Sequence, residues 1–128
     1  MLIENYFERM KRLLANSIII KTYDLDMEKR TATLGFIRAN LILIDESRLY
    51  IREFLEVEMD IKRGKYSYQY INKKGDLIFR YDNAPHHQKC KLSSFPHHKH
   101  DHDENRIIAS NSPFLEDVLQ EIEQIING

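Results

Sequence analysis

The apolar residues at the start of the chain, Leu2, Ile3, Tyr6, Phe7, Met10, Leu13 and Leu14, recur at three- and four-residue steps. That spacing predicts an amphipathic helix with one buried stripe, ending near Asn16. From Ser17 the period changes. "SIIIKTYDLD" and "KRTATLGFIRANLILID" are rich in β-branched and alternating residues, and they predict two or three strands with Asp26 to Lys29 as the turn between them. "RLYIREFLEVEM" is compatible with a helix or a strand. The alternation of Tyr50, Arg52, Phe54 and Glu56 against Leu49, Ile51, Glu53, Leu55 and Val57 favours the strand. "KYSYQYIN" and "DLIFRYDN" then flank "KKG", whose glycine permits the positive φ of a tight hairpin turn.

The period is lost from Ala84 to Arg106, a segment that holds Pro85, Pro96 and all six histidines. Irregular segments of this length inside a domain are more often functional than passive. "RIIAS" predicts a short strand. A closing helix follows, with Ser112 as N-cap, Pro113 at the first helical position, and Glu116 and Asp117 where the macrodipole favours negative charge. Its apolar stripe is Leu115, Val118, Leu119, Ile122, Ile125 and Ile126. The element order predicts one α+β domain over residues 1–128: an antiparallel sheet of about five to seven strands, covered on one face by an N-terminal and a C-terminal helix.

At 128 residues with 42% hydrophobic content, the chain is long enough to bury a core by itself. The formal net charge of -1, from 19 basic and 20 acidic residues, gives no global pull toward nucleic acid or membrane, so a polyanion site must come from local patterning. The single cysteine, Cys90, excludes an internal disulfide framework and a multi-cysteine zinc site. Charge interrupts "MLIENYFERMKRLLAN" every few positions, and no apolar run approaches ~18 residues. The expectation is a cytoplasmic protein that does not enter the membrane.

Locally the picture differs. No acidic residue lies between Asp82 and Asp101, whereas Lys89, Lys91, Lys99 and five histidines do, which makes the segment a cationic patch suited to a phosphate. Tyr66, Tyr68 and Tyr70 share one face of their strand; Leu77, Phe79 and Tyr81 share a face of the next, with Ile78, Arg80 and Asp82 opposite. The tyrosine face is either core or, if open, a surface on which unpaired bases stack. Imidazoles titrate near neutrality, so one can act as general base and another as general acid in RNA cleavage, with Arg80 or Lys99 stabilising the charge on phosphorus. A rival arises from "HHKHDHD", whose imidazoles and carboxylates could converge on a metal. A third alternative is a solvated loop whose histidines bind backbone. Cys90, between two lysines but without a base partner, is an ordinary loop thiol.

"YSYQY", "LIFRYDNAPHH" and "FPHHKH", followed by a short strand and a helix beginning near "SPFLEDVLQEI", resemble the TumE-type toxins of prokaryotic toxin–antitoxin pairs over roughly residues 41 to 126. The resemblance falls on Arg80, Tyr81, Asp82, Asn83, Pro85, His86 and His87, and on Pro96, His97, His98, Lys99 and His100. Glu46 stands in "DES" where a "DGS" turn is expected, and Gln69 replaces a histidine of the tyrosine strand. The resemblance implies a growth-inhibiting toxin with ribonuclease activity and a neutralising antitoxin encoded beside it.

The combined expectation is a metal-independent ribonuclease that needs no cofactor and acts by 2′-OH attack. His87 and His98 are the expected proton-transfer pair, with His97 and His100 close behind and His86 among the catalytic candidates. Arg80 is the phosphate clamp, Asp82 orients an imidazole, and Tyr68, Tyr81, Lys89 and Lys99 are expected to contact substrate. The expected partners are RNA and a cognate antitoxin, in a homodimer or a toxin–antitoxin hetero-oligomer. Two rival classes remain: a metal-dependent hydrolase using the histidines with Asp101 and Asp103, and a non-catalytic binding module.

Overall fold

A computed structural model of the chain describes residues 1–85 and 92–128. Two helices and seven strands follow in the order α1 (Ile3–Asn16), β1 (Ile20–Lys29), β2 (Leu34–Leu43), β3 (Arg48–Glu56), β4 (Lys62–Ile71), β5 (Leu77–Asp82), β6 (His98–Asp101), β7 (Ile107–Ala109) and α2 (Leu115–Asn127). The strands form one open antiparallel sheet whose spatial order is the chain order. This is the expected α+β architecture, with both terminal helices in place.

Period-two alternation divides the sheet into two faces. Ile37, Ala39, Leu41 and Leu43 of β2, Leu49, Ile51 and Leu55 of β3, Tyr66, Tyr68 and Tyr70 of β4, and Phe79 and Tyr81 of β5 are buried in one core cluster. The same cluster contains Ile3, Tyr6, Phe7, Met10 and Leu14 of α1, and Leu115, Val118, Leu119 and Ile122 of α2. The tyrosine face is therefore core, and the helix stripes predicted from periodicity are what cover it. Leu2 and Ile125, at the ends of those stripes, are exposed. Helix α1 sits so close that a Cβ on Gly35 of β2 would lie 2.6 Å from Ile3 Cγ1 and 2.9 Å from Phe7 Cζ, so any larger residue there must push the helix away.

Three local expectations need correction. Asp26 to Lys29 are not a turn: they pair with Gly35 to Arg38 at the end of β1, and Leu25 and Met27 continue the inward alternation between acidic outward residues. The turn lies at residues 30–33, where Thr31 Oγ1 accepts hydrogen bonds from the Thr33 and Leu34 amides. Helix α2 starts later than Ser112. Ser112 has φ 54° and gives its carbonyl and hydroxyl to Arg63, so Phe114 is the N-cap and its amide donates to Asp117 Oδ2. The histidine segment also contains a strand, β6, which pairs with β5 and β7. The "KKG" hairpin forms as predicted, with Gly75 at φ 92° and its amide donating to the Asn72 carbonyl.

Candidate active site

The same alternation that sends Phe79 and Tyr81 into the core turns Arg80 and Asp82 to the opposite face of β5. In the β5–β6 register Arg80 stands across from His100 and Asp82 across from His98. Two short strands thus place four chemical side chains on one patch.

Asp82, His98 and His100 are 7%, 2% and 1% exposed. His98 Nδ1 lies 2.8 Å from the Pro96 carbonyl and His100 Nδ1 lies 2.8 Å from the Glu104 carbonyl. A carbonyl only accepts, so both Nδ1 atoms carry hydrogen and both Nε2 atoms are turned toward Asp82 and Arg80. His98 Nε2 is 2.9 Å from Asp82 Oδ1, an ion-pair distance for a protonated imidazole. His100 Nε2 is 3.1 Å from Arg80 Nη2, from which it accepts, and 3.5 Å from Asp82 Oδ2.

Arg80 connects the cluster to solvent. Its Nε donates to Asp82 Oδ2 at 3.1 Å, its Nη1 to Gln69 Oε1 at 3.3 Å, and its two terminal nitrogens grip the Glu104 carboxylate at 2.6 and 2.8 Å. Burial pulls this guanidinium down, but the hydrogen bonds to Glu104 and Asp82 outweigh it and hold it above its ordinary value. The fork-on-fork contact is the geometry in which arginine also binds phosphate. A groove of about 960 Å³ opens beside it, lined by Arg80 and Asp82 among others.

The remaining expected site residues are placed elsewhere. His97 faces the other way: its ring stacks on Tyr66 with centroids 5.7 Å apart, and its Nδ1 is 2.8 Å from the Tyr66 hydroxyl. Burial, then Arg63 and His98, lower the His97 pKa. Tyr68, expected to touch substrate, is fully buried, with its hydroxyl donating to Glu53 Oε2. Tyr81 donates to Glu121 Oε1 at 2.7 Å, and Lys99 reaches Glu121 Oε2 at 3.1 Å, so both tie α2 to the sheet. Their positions on odd steps of the alternation put them on the helix-covered face, away from Arg80. His86, His87 and Lys89 lie outside the described residues, as does Cys90.

Two members of the cluster are not among the expected site residues. Gln69 stands opposite Arg80 across the β4–β5 ladder, which is where a histidine in its place would also meet the cluster. Glu104 comes from the β6–β7 turn, and no local motif marks it. Asp101 and Asp103, the carboxylates of the metal alternative, are engaged differently: Asp101 pairs with His102 and Arg106, and Asp103 accepts from the Asn105 amide. Among the described residues the donor set that could close around a cation is instead Asp82, His98 and His100, with ligand atoms within 4.8 Å of one another. Two imidazoles and a carboxylate suit zinc or a related ion, and carbonyl-bound Nδ1 atoms orient ligand histidines in this way. The Arg80 guanidinium, however, already supplies positive charge at 3.1 Å from both Asp82 and His100.

These features define a class: an α+β sheet protein with a buried His–Asp pair, a second histidine and an arginine at the end of a groove. The chain belongs to the TumE toxin family, whose model, described as Toxin TumE, matches residues 10–126. The match extends upstream of the histidine-containing blocks into α1. No match was found among curated proteins or among solved structures. No helix of the described residues is long and apolar enough to cross a membrane.

Proposed function

We propose that this toxin-family chain is a metal-independent endoribonuclease, held inactive by a cognate antitoxin, and that Arg80, Asp82, His98 and His100 perform the cleavage. The observation that carries this reading is the convergence of two buried imidazoles and a carboxylate on a half-buried arginine fork. The His100 Nε2 lone pair is held by Arg80 Nη2, and His98 Nε2 faces the Asp82 carboxylate at 2.9 Å.

In this mechanism the scissile phosphate takes the place of the Glu104 carboxylate on Arg80. As Arg80 Nη2 turns from His100 onto the phosphate, His100 Nε2 is released to accept the proton of the ribose 2′-OH, the 2′ oxygen bonds to phosphorus, and the bond from phosphorus to the 5′ oxygen breaks. Protonated His98 gives its Nε2 proton to the departing 5′ oxygen, with Asp82 beside it favouring the protonated ring. Arg80 stabilises the charge on the equatorial oxygens. The products are a 2′,3′-cyclic phosphate and a 5′-OH. Within the described residues His100 takes the part expected of His87. The antitoxin is proposed to cover the cationic segment and the mouth of the groove.

The test is incubation of the purified protein with RNA in excess chelator, followed by sequencing of the ends. Wild type is expected to leave cyclic phosphates, and His98→Asn and His100→Asn to cut about 10²- to 10⁴-fold more slowly, the usual contribution of a general acid or base. Ends bearing 5′-phosphate and 3′-OH would sink the mechanism. The grouping of Asp82, His98 and His100 also favours a second reading, a metal-dependent hydrolase. Loss of cleavage on chelation, restored by one divalent ion, selects that reading.

A further inference from the structure

The face of the sheet that the helices leave bare carries cationic and aromatic side chains outside the acid–base cluster. Alternation places Phe36, Arg38 and Asn40 of β2, Tyr50, Arg52 and Phe54 of β3, and Lys65, Ser67 and Gln69 of β4 on this face, all partly or fully exposed. The register arranges them in rows. One runs Arg38, Arg52, Ser67, Asp82, His98; the next runs Asn40, Tyr50, Gln69, Arg80, His100. Phe36 stands opposite Phe54, and Lys65 follows Phe54 on the next strand. The groove beside Arg80 extends over Phe36, Arg52, Phe54 and Lys65. With strands about 4.8 Å apart, Arg52 lies roughly 10 Å from Asp82.

The two arginines are the informative pair. Arg38 and Arg52 are directly opposed on neighbouring strands, an arrangement in which like charges destabilise a sheet. Among the described residues neither forms an ion pair. Arg52 is instead steadied by Asn40 Oδ1 at 3.2 Å and the Ile51 carbonyl at 2.7 Å, which fixes it without neutralising it. Beyond Arg38 the same face turns acidic, because β1 sets Asp24, Asp26 and Glu28 opposite Asn40, Arg38 and Phe36. A polyanion is therefore attracted to β2 through β5 and repelled at the β1 edge.

We infer that this bare face is a binding track for single-stranded RNA, in which Arg38 and Arg52 hold a phosphate near the one on Arg80 while Phe36 and Phe54 stack unpaired bases. Rings and fixed cations side by side are what a single strand requires, since its bases are free to stack and its phosphates need neutralising. The inference rests on the ribonuclease reading for its substrate, and it adds the surface that presents that substrate to His100.

The experiment measures binding of the full chain to a 2′-O-methyl single strand, which cannot be cleaved by 2′-OH attack, and to a duplex of the same sequence. An Arg38→Glu, Arg52→Glu variant is compared with a Lys11→Glu, Arg12→Glu control that changes net charge equally on α1, with folding checked by circular dichroism. The expected result is preference for the single strand, at least tenfold weaker binding by the β2–β3 variant alone, and a salt dependence shallower by about 0.7 for each phosphate no longer neutralised. Phe54→Ala should weaken binding about tenfold because a base can no longer stack there. Cleavage of unmodified RNA is followed separately. Wild-type cleavage with probe binding unchanged in the β2–β3 variant overturns the track and spares the nuclease. Binding abolished in that variant, with no cleavage by wild type, keeps the track and removes the nuclease. A β2–β3 variant that binds the probe normally but no longer binds the cognate antitoxin makes the face a protein interface and overturns the inference.

Discussion

The two faces of the sheet use the same kinds of polar residue to opposite ends. On the covered face most of the buried polar tips named above are held by a helix or by a partner that fixes one. Tyr6 of α1 and Tyr68 of β4 both donate to Glu53, while Tyr81 and Lys99 share Glu121 of α2. Arg63 lies 4.1 Å from the centroids of Tyr66 and Phe114 and donates to the Ser112 and Pro113 carbonyls, anchoring the start of α2. On the bare face Arg80 faces the exposed carboxylate of Glu104, and Arg38 and Arg52 face each other. Residue type alone therefore says little about role in this protein; the parity of a residue's position along its strand says much more.

The largest effect that can break this comparison is at Glu53. It is fully buried, and Glu53→Ala leaves two tyrosine hydroxyls without their acceptor, at about 1–3 kcal/mol each. Thermal or urea unfolding should show a loss of roughly 2–6 kcal/mol, with cleavage by the remaining folded protein unchanged. Burial raises the Glu53 pKa, and the hydrogen bonds from Tyr68 and Tyr6 oppose that only in part. At pH between the ordinary glutamate value and the raised folded one, the folded state therefore binds more proton than the unfolded chain. The associated stability is complete below the ordinary glutamate range and is lost as pH rises through the folded value. Glu53→Gln, which cannot ionise, should compare more favourably with wild type at about pH 8 than at about pH 4; an equal difference at both would show that Glu53 is ionised in the core.

A smaller effect is expected at Lys99. Lys99→Met keeps the stem over Phe79 and Tyr81 but removes the bond to Glu121, and it should cost about 1 kcal/mol of stability without changing cleavage. A cleavage defect of about 100-fold or more, the size expected of a group acting on the reacting atoms, would return Lys99 to the substrate side. Smaller again is Glu104→Gln. Weakening the carboxylate grip on Arg80 should raise RNA affinity by a few-fold, read by anisotropy, because an exposed ion pair contributes little beyond competition. The smallest lies in the "DES" turn. Glu46 has φ 67°, a left-handed conformation that glycine adopts at less cost. Glu46→Gly should raise the unfolding free energy by no more than about 1 kcal/mol, partly offset by removal of the ion pair with Lys73 at 2.7 Å.

Much of the covered face could be read from the chain, since Leu77, Phe79 and Tyr81 or Ile3, Tyr6, Phe7 and Met10 declare their periods through apolar residues. Strand β6 could not. His98 and His100 are buried at alternate positions but are polar, so a hydropathy pattern passes over them. Arg80, Asp82, His98 and His100 were legible as chemistry from residue type and from the family-like blocks, yet their convergence depends on the β5–β6 register. Glu104 joins Arg80 across twenty-four positions of sequence, and Arg38 meets Arg52 only once the turn is moved from Asp26–Lys29 to residues 30–33. Register, set by turns and not by composition, is what separates the two.

Because spatial order equals chain order in the sheet, the protein is also ordered in time as it is made. A nascent chain that has reached Asp82 can lay down five strands beneath α1 and already possesses the arginine and carboxylate of the cluster, but neither His98 nor His100. The imidazoles arrive only with β6, and α2 follows them to close the core. Prematurely terminated chains thus lack both imidazoles of the cluster, and the ribosome that synthesises this chain holds the sheet without them until the last strands emerge.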